Sequence, residues 1–180
     1  MKNPFNNNDF NSGDGMLTSV WGPSMWHSLH TISFNYPVKP TEEDKKDYYK
    51  FFLSMKKVLP CKYCRLNYVK NLKAVPLTMK TMENRNTLSK WLYDLHEEIN
   101  KMLGKKSNLT YEDVKLRYEM FRSRCLTKPK HNKKKTRKKK IESGCIQPLY
   151  GKKSKCVINI VPKDTKCKTF NIHKQCILKR

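Results

Sequence analysis

The chain has no run of apolar residues long enough to cross a bilayer, which takes about 20 such residues in a helix. Its first 15 residues are rich in Asn, Asp and Gly and lack the apolar core of a secretory signal. Acidic residues are scarce, since 15 Asp and Glu stand against 39 Lys and Arg, giving a net charge of +24. We therefore expect no secretory signal and no transmembrane segment, and a chain that can meet anionic partners.

The positive charge is concentrated at the end of the chain. Residues 126–180 contain 18 basic and 2 acidic residues, a net charge of +16, whereas residues 1–125 carry +8. The run from Lys128 to Lys140 cannot bury a core and is expected to be solvated. We predict a polar disordered N-terminus over residues 1–19, a folded domain over 20–125, and a flexible basic Lys- and Cys-rich tail over 126–180. Such a tail can bind nucleic acid, an anionic membrane or an acidic protein.

Residues 20–125 show the 3.6-residue period of helices, and no segment before residue 125 alternates as a strand would. Proline ends the first helix after Tyr36, Thr41 is a predicted N-cap, and Gly104 a predicted C′ residue. The fold class is therefore all-α, a four- to five-helix bundle. The predicted helices cover Trp21–Phe34, Thr41–Val58, Cys61–Leu72, Asn86–Leu103 and Thr110–Arg124.

Two cysteines, Cys61 and Cys64, stand three positions apart at the predicted start of a helix. Pro60 suits a first helical turn, and the positive end of the helix dipole, with Lys62 and Arg65, favours a thiolate. A thiol with a lowered pKa is a better nucleophile and leaving group near neutral pH. The same spacing also fits half of a zinc site or two buried thiols.

Four motifs together resemble one family, the Erv/ALR FAD-linked sulfhydryl oxidases, and most closely its members encoded by large DNA viruses. The resemblance covers roughly Val20 to Cys125. It implies that the helical bundle binds FAD. The motifs are Trp21-Gly22-Pro23-x-x-Trp26-x-x-Leu29-His30-Thr31-Ile32, Leu59-Pro60-Cys61-x-x-Cys64, Trp91-Leu92-x-x-Leu95-His96-x-x-x-Asn100, and Leu103-Gly104-Lys105.

The resemblance implies roles for particular residues. Cys61 and Cys64 would be the redox-active catalytic pair, with Cys64 next to the isoalloxazine ring. The residues implied to bind FAD are Trp26 and His30 against the flavin, Trp91 leading into the third motif, His96 and Asn100 at the adenine and ribose, and Lys105 at the phosphates. No metal ligand is implied.

The chain departs from the family pattern at several positions. Glu97 replaces an Asn, Ile99 replaces a Val, and Asn67 stands where a His is common. Tyr93 stands where the first cysteine of a structural disulfide is usual. The core is therefore expected to depend more on packing and on bound FAD, which stabilises the folded state by mass action.

The implied activity is oxidation of protein dithiols to disulfides, with dioxygen as electron acceptor and hydrogen peroxide as product. The resemblance also implies a homodimer and, for a viral protein, action in the host cytoplasm or the virion. Family members usually carry a second, shuttle cysteine pair, and the N-terminal arm here has no cysteine. The candidates for that pair are Cys125, Cys145, Cys156, Cys167 and Cys176, whose pairing the sequence does not determine.

Two alternatives stay open at this point. Trp26, Trp91 and His30 could be ordinary core residues, and His96 with Asn100 a surface hydrogen-bonded pair. Alternatively, the chain could be a basic nucleic-acid- or virion-associated binding protein with structural or zinc-binding cysteines. The Lys-rich run favours phosphate contact, but aromatic residues are not interleaved with it, so stacking on bases is not indicated.

Overall fold

The computed structural model describes residues 6–126 and 144–150. The chain divides into two compact units, one through Tyr111 and the other from Glu112 onward. This division falls earlier than the predicted end of the folded domain at Cys125. The elements are α1 (Asn7–Phe10), α2 (Thr18–Phe34), α3 (Glu42–Val58), α4 (Lys62–Ala74), a short 3-10 helix (Met79–Met82), α5 (Arg85–Met102), α6 (Tyr111–Glu119), β1 (Ser123–Leu126) and β2 (Gly144–Pro148).

The helix ends follow the capping residues. The Thr41 hydroxyl accepts a hydrogen bond from the Asp44 backbone N–H at 3.1 Å, and the Asp44 carboxylate accepts from the Thr41 N–H at 2.8 Å, a capping box that starts α3. Asn84 caps α5 in the same way, and Gly104, with φ of 65°, follows the end of α5. The predictions for Thr41 and Gly104 are confirmed.

The core of the first unit is built around α5. Three of its leucines, Leu88, Leu92 and Leu95, are fully buried, and the helix contacts α2, α4 and the 3-10 helix. Two tyrosines can be buried because their hydroxyls have acceptors: Tyr36 donates to the Met82 carbonyl and Tyr68 to the Phe52 carbonyl, both at 2.8 Å. The bundle predicted from the helical periods is therefore confirmed.

The structure departs from the sequence prediction at the N-terminus. Residues 6–19, expected to be disordered, include the short α1, whose first turn is capped by Asn6, and a segment that is hydrogen-bonded to residues 60–62. Polar composition favours disorder, but backbone pairing to a distant segment leaves no side-chain pattern in the sequence.

The structure also differs from the sequence prediction in the second unit, where a helix was expected to reach Arg124. Instead, α6 ends at Glu119 and the strand β1 follows it. β1 pairs antiparallel with β2, with Ser123 opposite Pro148 and Arg124 opposite Gln147. Cys125 and Cys145 form a disulfide within this pair, 20 positions apart. The Lys128–Lys140 run and the cysteines Cys156, Cys167 and Cys176 lie outside the described residues.

None of the helices among residues 6–126 is both long and apolar enough to span a membrane.

Replacing Leu92 by alanine should lower the free energy of unfolding by about 2–5 kcal/mol, since the leucine is fully buried and its removal leaves a cavity. Val38, which is 61% exposed, provides the control, and its alanine variant should stay within about 0.5 kcal/mol of the wild type. Urea unfolding followed by circular dichroism measures both. Equal losses in the two variants would contradict the assignment of α5 as the centre of the core.

Candidate active site

The cysteine pair lies at the start of α4. Cys61 is the N-cap residue, and its sulfur accepts a hydrogen bond from the Cys64 backbone N–H at 3.2 Å. The sulfur thus stands where the oxygen of a serine or aspartate cap usually stands. Both side chains are half-buried, and their sulfurs are not bonded to each other.

The pKa values of the two thiols are shifted in opposite directions. Burial opposes ionisation of Cys61, but the hydrogen bonds from Cys64 and from the Tyr63 and Cys64 backbone, with the charge of Arg65, lower the pKa of Cys61 overall. For Cys64, burial, followed by its hydrogen bond to Cys61 and the charge on Cys61, raises the pKa to about 12. The predicted lowering of the thiol pKa therefore holds for Cys61 alone. Of the two thiols, Cys61 is therefore the one that ionises first as the pH rises.

Arg65 fixes the turn that carries the pair. Its Nη1 donates to the Leu59 carbonyl at 2.6 Å and its Nη2 to the Gly13 carbonyl at 3.3 Å. The guanidinium is thereby held beside the start of α4, where it adds positive charge to the helix N-terminus.

A segment near the N-terminus lies against the same turn. The Met16 N–H donates to the Pro60 carbonyl at 2.6 Å, and the Lys62 N–H donates to the Asp14 carbonyl at 2.8 Å. Gly15 and Cys61 form an isolated antiparallel bridge between them. The sequence analysis did not predict this contact. The closely spaced Gly13 and Gly15 were the one feature of the sequence that could have indicated it.

A second group of site residues joins α2 to α5. The rings of Trp26 and His96 are stacked, with centroids 3.8 Å apart and planes 6° from parallel. One turn after Trp26, His30 lies on the same helix, and its Nε2 is 3.1 Å from His96 Nδ1. The structure therefore brings three of the predicted cofactor residues into direct contact.

Both imidazoles in this group are neutral at pH 7. Burial, with the neighbouring charges of His96 and His27, lowers the pKa of His30 to about 3. Burial lowers the pKa of His96 to about 4, with Glu97 opposing the shift and Lys105 contributing to it. A neutral imidazole has one donor and one acceptor nitrogen, so the hydrogen bond between the two rings fixes complementary tautomers.

Lys105 lines a cavity at the C-terminal end of α5, and Asn100 is hydrogen-bonded to two of the lining residues. The Lys105 N–H donates to the Asn100 carbonyl at 2.8 Å, and Asn100 Nδ2 donates to Glu97 Oε1 at 3.0 Å. Glu97, a departure from the family pattern, thus orients Asn100. The cavity has a volume of about 700 Å³ and is lined by Val75, Asp94, Glu97, Glu98, Lys101, Gly104, Lys105, Lys106, Ser107 and Asn108.

Trp91 has a different position from the other predicted cofactor residues. It is buried in the core, where its ring meets that of Phe52 edge to face at 5.3 Å and its Nε1 donates to the Val75 carbonyl at 3.2 Å. These contacts give it a structural role in the first unit. A contact with the cofactor stays a prediction for Trp91.

A zinc site that includes Cys61 and Cys64 would need further ligands close to them. Within residues 6–126 and 144–150, no three His, Cys, Asp or Glu side chains are arranged to hold a metal ion. The cysteines are instead engaged with the turn at the start of α4, and His96 with the rings of α2.

The chain belongs to the Erv1 / Alr family, whose model matches residues 23–119. One relative, named a probable FAD-linked sulfhydryl oxidase in Acanthamoeba polyphaga mimivirus, is 45% identical over 99 residues, 55% of this chain and 68% of that protein. The FAD-linked sulfhydryl oxidase of an African swine fever virus isolate from Kenya is 29% identical over 99 residues, 55% of this chain and 80% of that protein. The mitochondrial FAD-linked sulfhydryl oxidase of Saccharomyces cerevisiae is 29% identical over 84 residues, 47% of this chain and 43% of that protein.

Solved structures share the fold of this chain. The crystal structure of the yeast Erv1 core matches with a TM-score of 0.52 at 23% identity and covers 66% of this chain and 96% of that one. The FAD binding domain of yeast Erv1 matches with a TM-score of 0.52 at 25% identity and covers 57% and 94% of the two chains. The predicted family and the helical bundle are both confirmed.

The two thiols should differ in their pH dependence of alkylation. In the reduced protein under nitrogen, Cys61 should react with iodoacetamide at pH values below the ordinary cysteine pKa of about 8.5, because its thiolate is stabilised. Cys64 should react slowly throughout that range. Peptide mass spectrometry measures both rates. Arg65→Met should move the pH dependence of Cys61 alkylation to higher pH. The control Lys70→Ala, on the exposed side of α4, should leave it unchanged. The same pH dependence for both thiols would contradict the lower pKa of Cys61.

The buried imidazoles should make the protein sensitive to acid. Because the folded pKa values of His30 and His96 lie below the unfolded value of about 6.5, the unfolded state binds more protons below that pH. Stability should therefore fall as the pH drops from 7 to about 4. His96→Phe, which keeps a ring against Trp26, should reduce this fall, measured by urea midpoints at the two pH values. An unchanged pH dependence in the variant would show that the pair is not responsible.

Proposed function

We propose that this chain is a FAD-linked thiol oxidase that converts dithiols of protein substrates to disulfides and delivers the electrons to dioxygen, giving hydrogen peroxide. The observation that carries the proposal is the cysteine pair at the start of α4, where Cys61 has a lowered and Cys64 a raised pKa. Family membership and the names of the viral and yeast relatives support it.

The residues of the first unit fit FAD. A flavin or adenine ring needs flat, uncharged neighbours, and Trp26, His30 and His96 supply them, since both imidazoles are neutral. A pyrophosphate needs cations, and Lys101, Lys105 and Lys106 line the cavity at the C-terminal end of α5. In our proposal, Trp26 and His30 contact the flavin, His96 and Asn100 the adenosine portion, and Lys105 the phosphates.

In the oxidised enzyme, the sulfur of Cys61 is the atom that the substrate thiolate attacks. A substrate thiolate attacks the Cys61 sulfur of the Cys61–Cys64 disulfide, forming a mixed disulfide and releasing the Cys64 sulfur. Two of the three causes that raise the pKa of Cys64 come from Cys61 itself, and a Cys61 sulfur in a mixed disulfide carries no charge. The pKa of Cys64 is therefore lower in the mixed disulfide than in the dithiol. This makes the Cys64 sulfur a better leaving group at this step.

The second step uses the acidity of Cys61. Another substrate thiolate attacks the substrate sulfur of the mixed disulfide, forming the substrate disulfide and releasing the Cys61 thiolate. The hydrogen bond from the Cys64 N–H and the nearby Arg65 stabilise that leaving group. The enzyme then holds both electrons in the Cys61–Cys64 dithiol. FAD held by Trp26, His30, His96, Asn100 and Lys105 would supply the two-electron acceptor for this dithiol and the route from it to dioxygen.

The assembly and setting of the enzyme are also part of the proposal. The oxidase domain spans residues 20–125 and acts as a homodimer on protein dithiols, and residues 126–180 form an appended basic tail that can bind an anionic partner. The viral relatives support a viral chain that acts in the host cytoplasm or the virion. The Cys125–Cys145 disulfide accounts for two of the candidate shuttle cysteines, and a shuttle role stays a prediction.

The purified protein should carry a flavin absorption band that dithiothreitol bleaches and air restores, with one hydrogen peroxide formed per disulfide. Cys61→Ser and Cys64→Ser should each lower dithiothreitol-dependent oxygen uptake by about 100-fold or more while keeping the flavin, because the reacting sulfur is lost. His96→Ala should instead release flavin, since it removes the ring stacked on Trp26.

Lys70→Ala, which changes an exposed cation on the same helix as Cys64, should match the wild type in both assays. A colourless wild-type protein that gains no absorption after incubation with FAD would overturn the proposal.

A further inference from the structure

The backbone beside Cys61 presents a pairing edge. The Pro60 carbonyl accepts from the Met16 N–H at 2.6 Å, and the Lys62 N–H donates to the Asp14 carbonyl at 2.8 Å. These hydrogen bonds flank the Gly15–Cys61 bridge on both sides. In antiparallel pairing, two residues flanked in this way stand directly opposite each other, with their side chains closer than in any other pair of the ladder.

Gly15 therefore occupies the position from which a side chain would meet Cys61. A Cβ atom built at this position lies 2.8 Å from Cys61 Cα and 2.3 Å from the Pro60 carbonyl oxygen, and the residue has a φ of +112°. At this φ, the chain's own segment can pair here only because Gly15 has no side chain. A strand with ordinary extended φ angles could place a cysteine at the same register.

We propose that the Pro60–Lys62 backbone is the docking edge for an extended, cysteine-containing segment of the protein substrate. The substrate segment pairs as Asp14–Met16 does, with its cysteine opposite Cys61, and displaces Asp14–Met16 from the edge. This inference rests on the proposed oxidase function and names its substrate class, a locally unfolded polypeptide. Because the hydrogen bonds are made to the substrate backbone, this recognition does not require one particular sequence around the cysteine.

The surroundings of the edge fit a polypeptide. Tyr63 and Leu66, on the first turns of α4, are 72% and 52% exposed and offer apolar contacts for neighbouring substrate residues. Lys62 Nζ lies 4.0 Å from the Asp14 carboxylate, so an acidic residue just before the substrate cysteine is favoured. The residue just after the cysteine must have a backbone N–H, which excludes proline there.

The test uses the full chain with Cys64, Cys156, Cys167 and Cys176 replaced by serine, so that Cys61 is the one free thiol beside the Cys125–Cys145 disulfide. Cys61 is converted to its thionitrobenzoate mixed disulfide. A peptide thiolate attacks the Cys61 sulfur, forms the peptide–Cys61 disulfide and releases coloured thionitrobenzoate, which gives the rate. This exchange requires neither flavin nor dioxygen.

Two capped peptides are compared. The first is Ser-Gly-Asp-Cys-Met-Leu, which follows residues 12–17 with cysteine in the position of Gly15. The second is identical except for N-methylation of its methionine, which removes the one donor to the Pro60 carbonyl. The first should react about five- to tenfold faster, the effect of losing one backbone hydrogen bond. Equal rates would overturn the proposal.

Substitutions of the chain's own segment supply the second comparison. Gly15→Val cannot pair in the observed manner and should leave the edge open, raising the rate of the first peptide at least about threefold while the ratio between the two peptides is kept. Gly13→Val is the matched control, because a Cβ at Gly13 meets nothing within 4 Å. No increase with Gly15→Val would show that Asp14–Met16 does not compete with substrate.

A failure of the docking edge can be told apart from a failure of the proposed oxidase function. Dithiothreitol-dependent oxygen uptake by the wild-type chain tests the oxidase alone. Equal peptide rates together with normal oxygen uptake would remove the docking edge and leave the oxidase in place.

Discussion

One hydrogen bond connects the fold of this chain to its chemistry. The Cys64 N–H that binds the Cys61 sulfur belongs to the first turn of α4, so it satisfies a backbone donor that the helix would otherwise leave free. The same bond stabilises negative charge on that sulfur. The start of the helix and the acidity of the thiol therefore depend on each other, and the turn held by Arg65 supports both.

The core of the first unit positions the second part of the site. Leu88, Leu92 and Leu95 anchor one face of α5 in the core, and this fixes the orientation at which His96 leaves the same helix. The stack on Trp26 and the hydrogen bond to His30 then tie α5 to α2 through uncharged rings. A flat cofactor bound at this place would meet aromatic surfaces that the core has already oriented, which lowers the entropy cost of binding.

Local signals in the sequence predicted most of the first unit, because its helices are specified by neighbours in the chain. The Thr41 cap, the apolar period of α5 and the proline before Cys61 each depend on residues within a few positions. The pairing of Gly15 with Cys61 joins backbone atoms 46 positions apart, and backbone hydrogen bonds carry no side-chain signature. The choice of Cys145 as the partner of Cys125 could not be predicted either, since several pairings were open. For Trp91, the helical period indicated burial but not which of its neighbours, Phe52 or a cofactor, it would meet.

The Cys125–Cys145 disulfide has a consequence for the covalent topology of the chain. The run from Lys128 to Lys140 lies in sequence between the two cysteines, so a cut by a trypsin-like protease anywhere within it would open a ring rather than divide the molecule. All residues from the cut to Arg180 would stay covalently attached to the helical unit through this disulfide alone. Their release would then require reduction of this disulfide. The cleaved chain would therefore stay in one piece under oxidising conditions and separate under reducing ones.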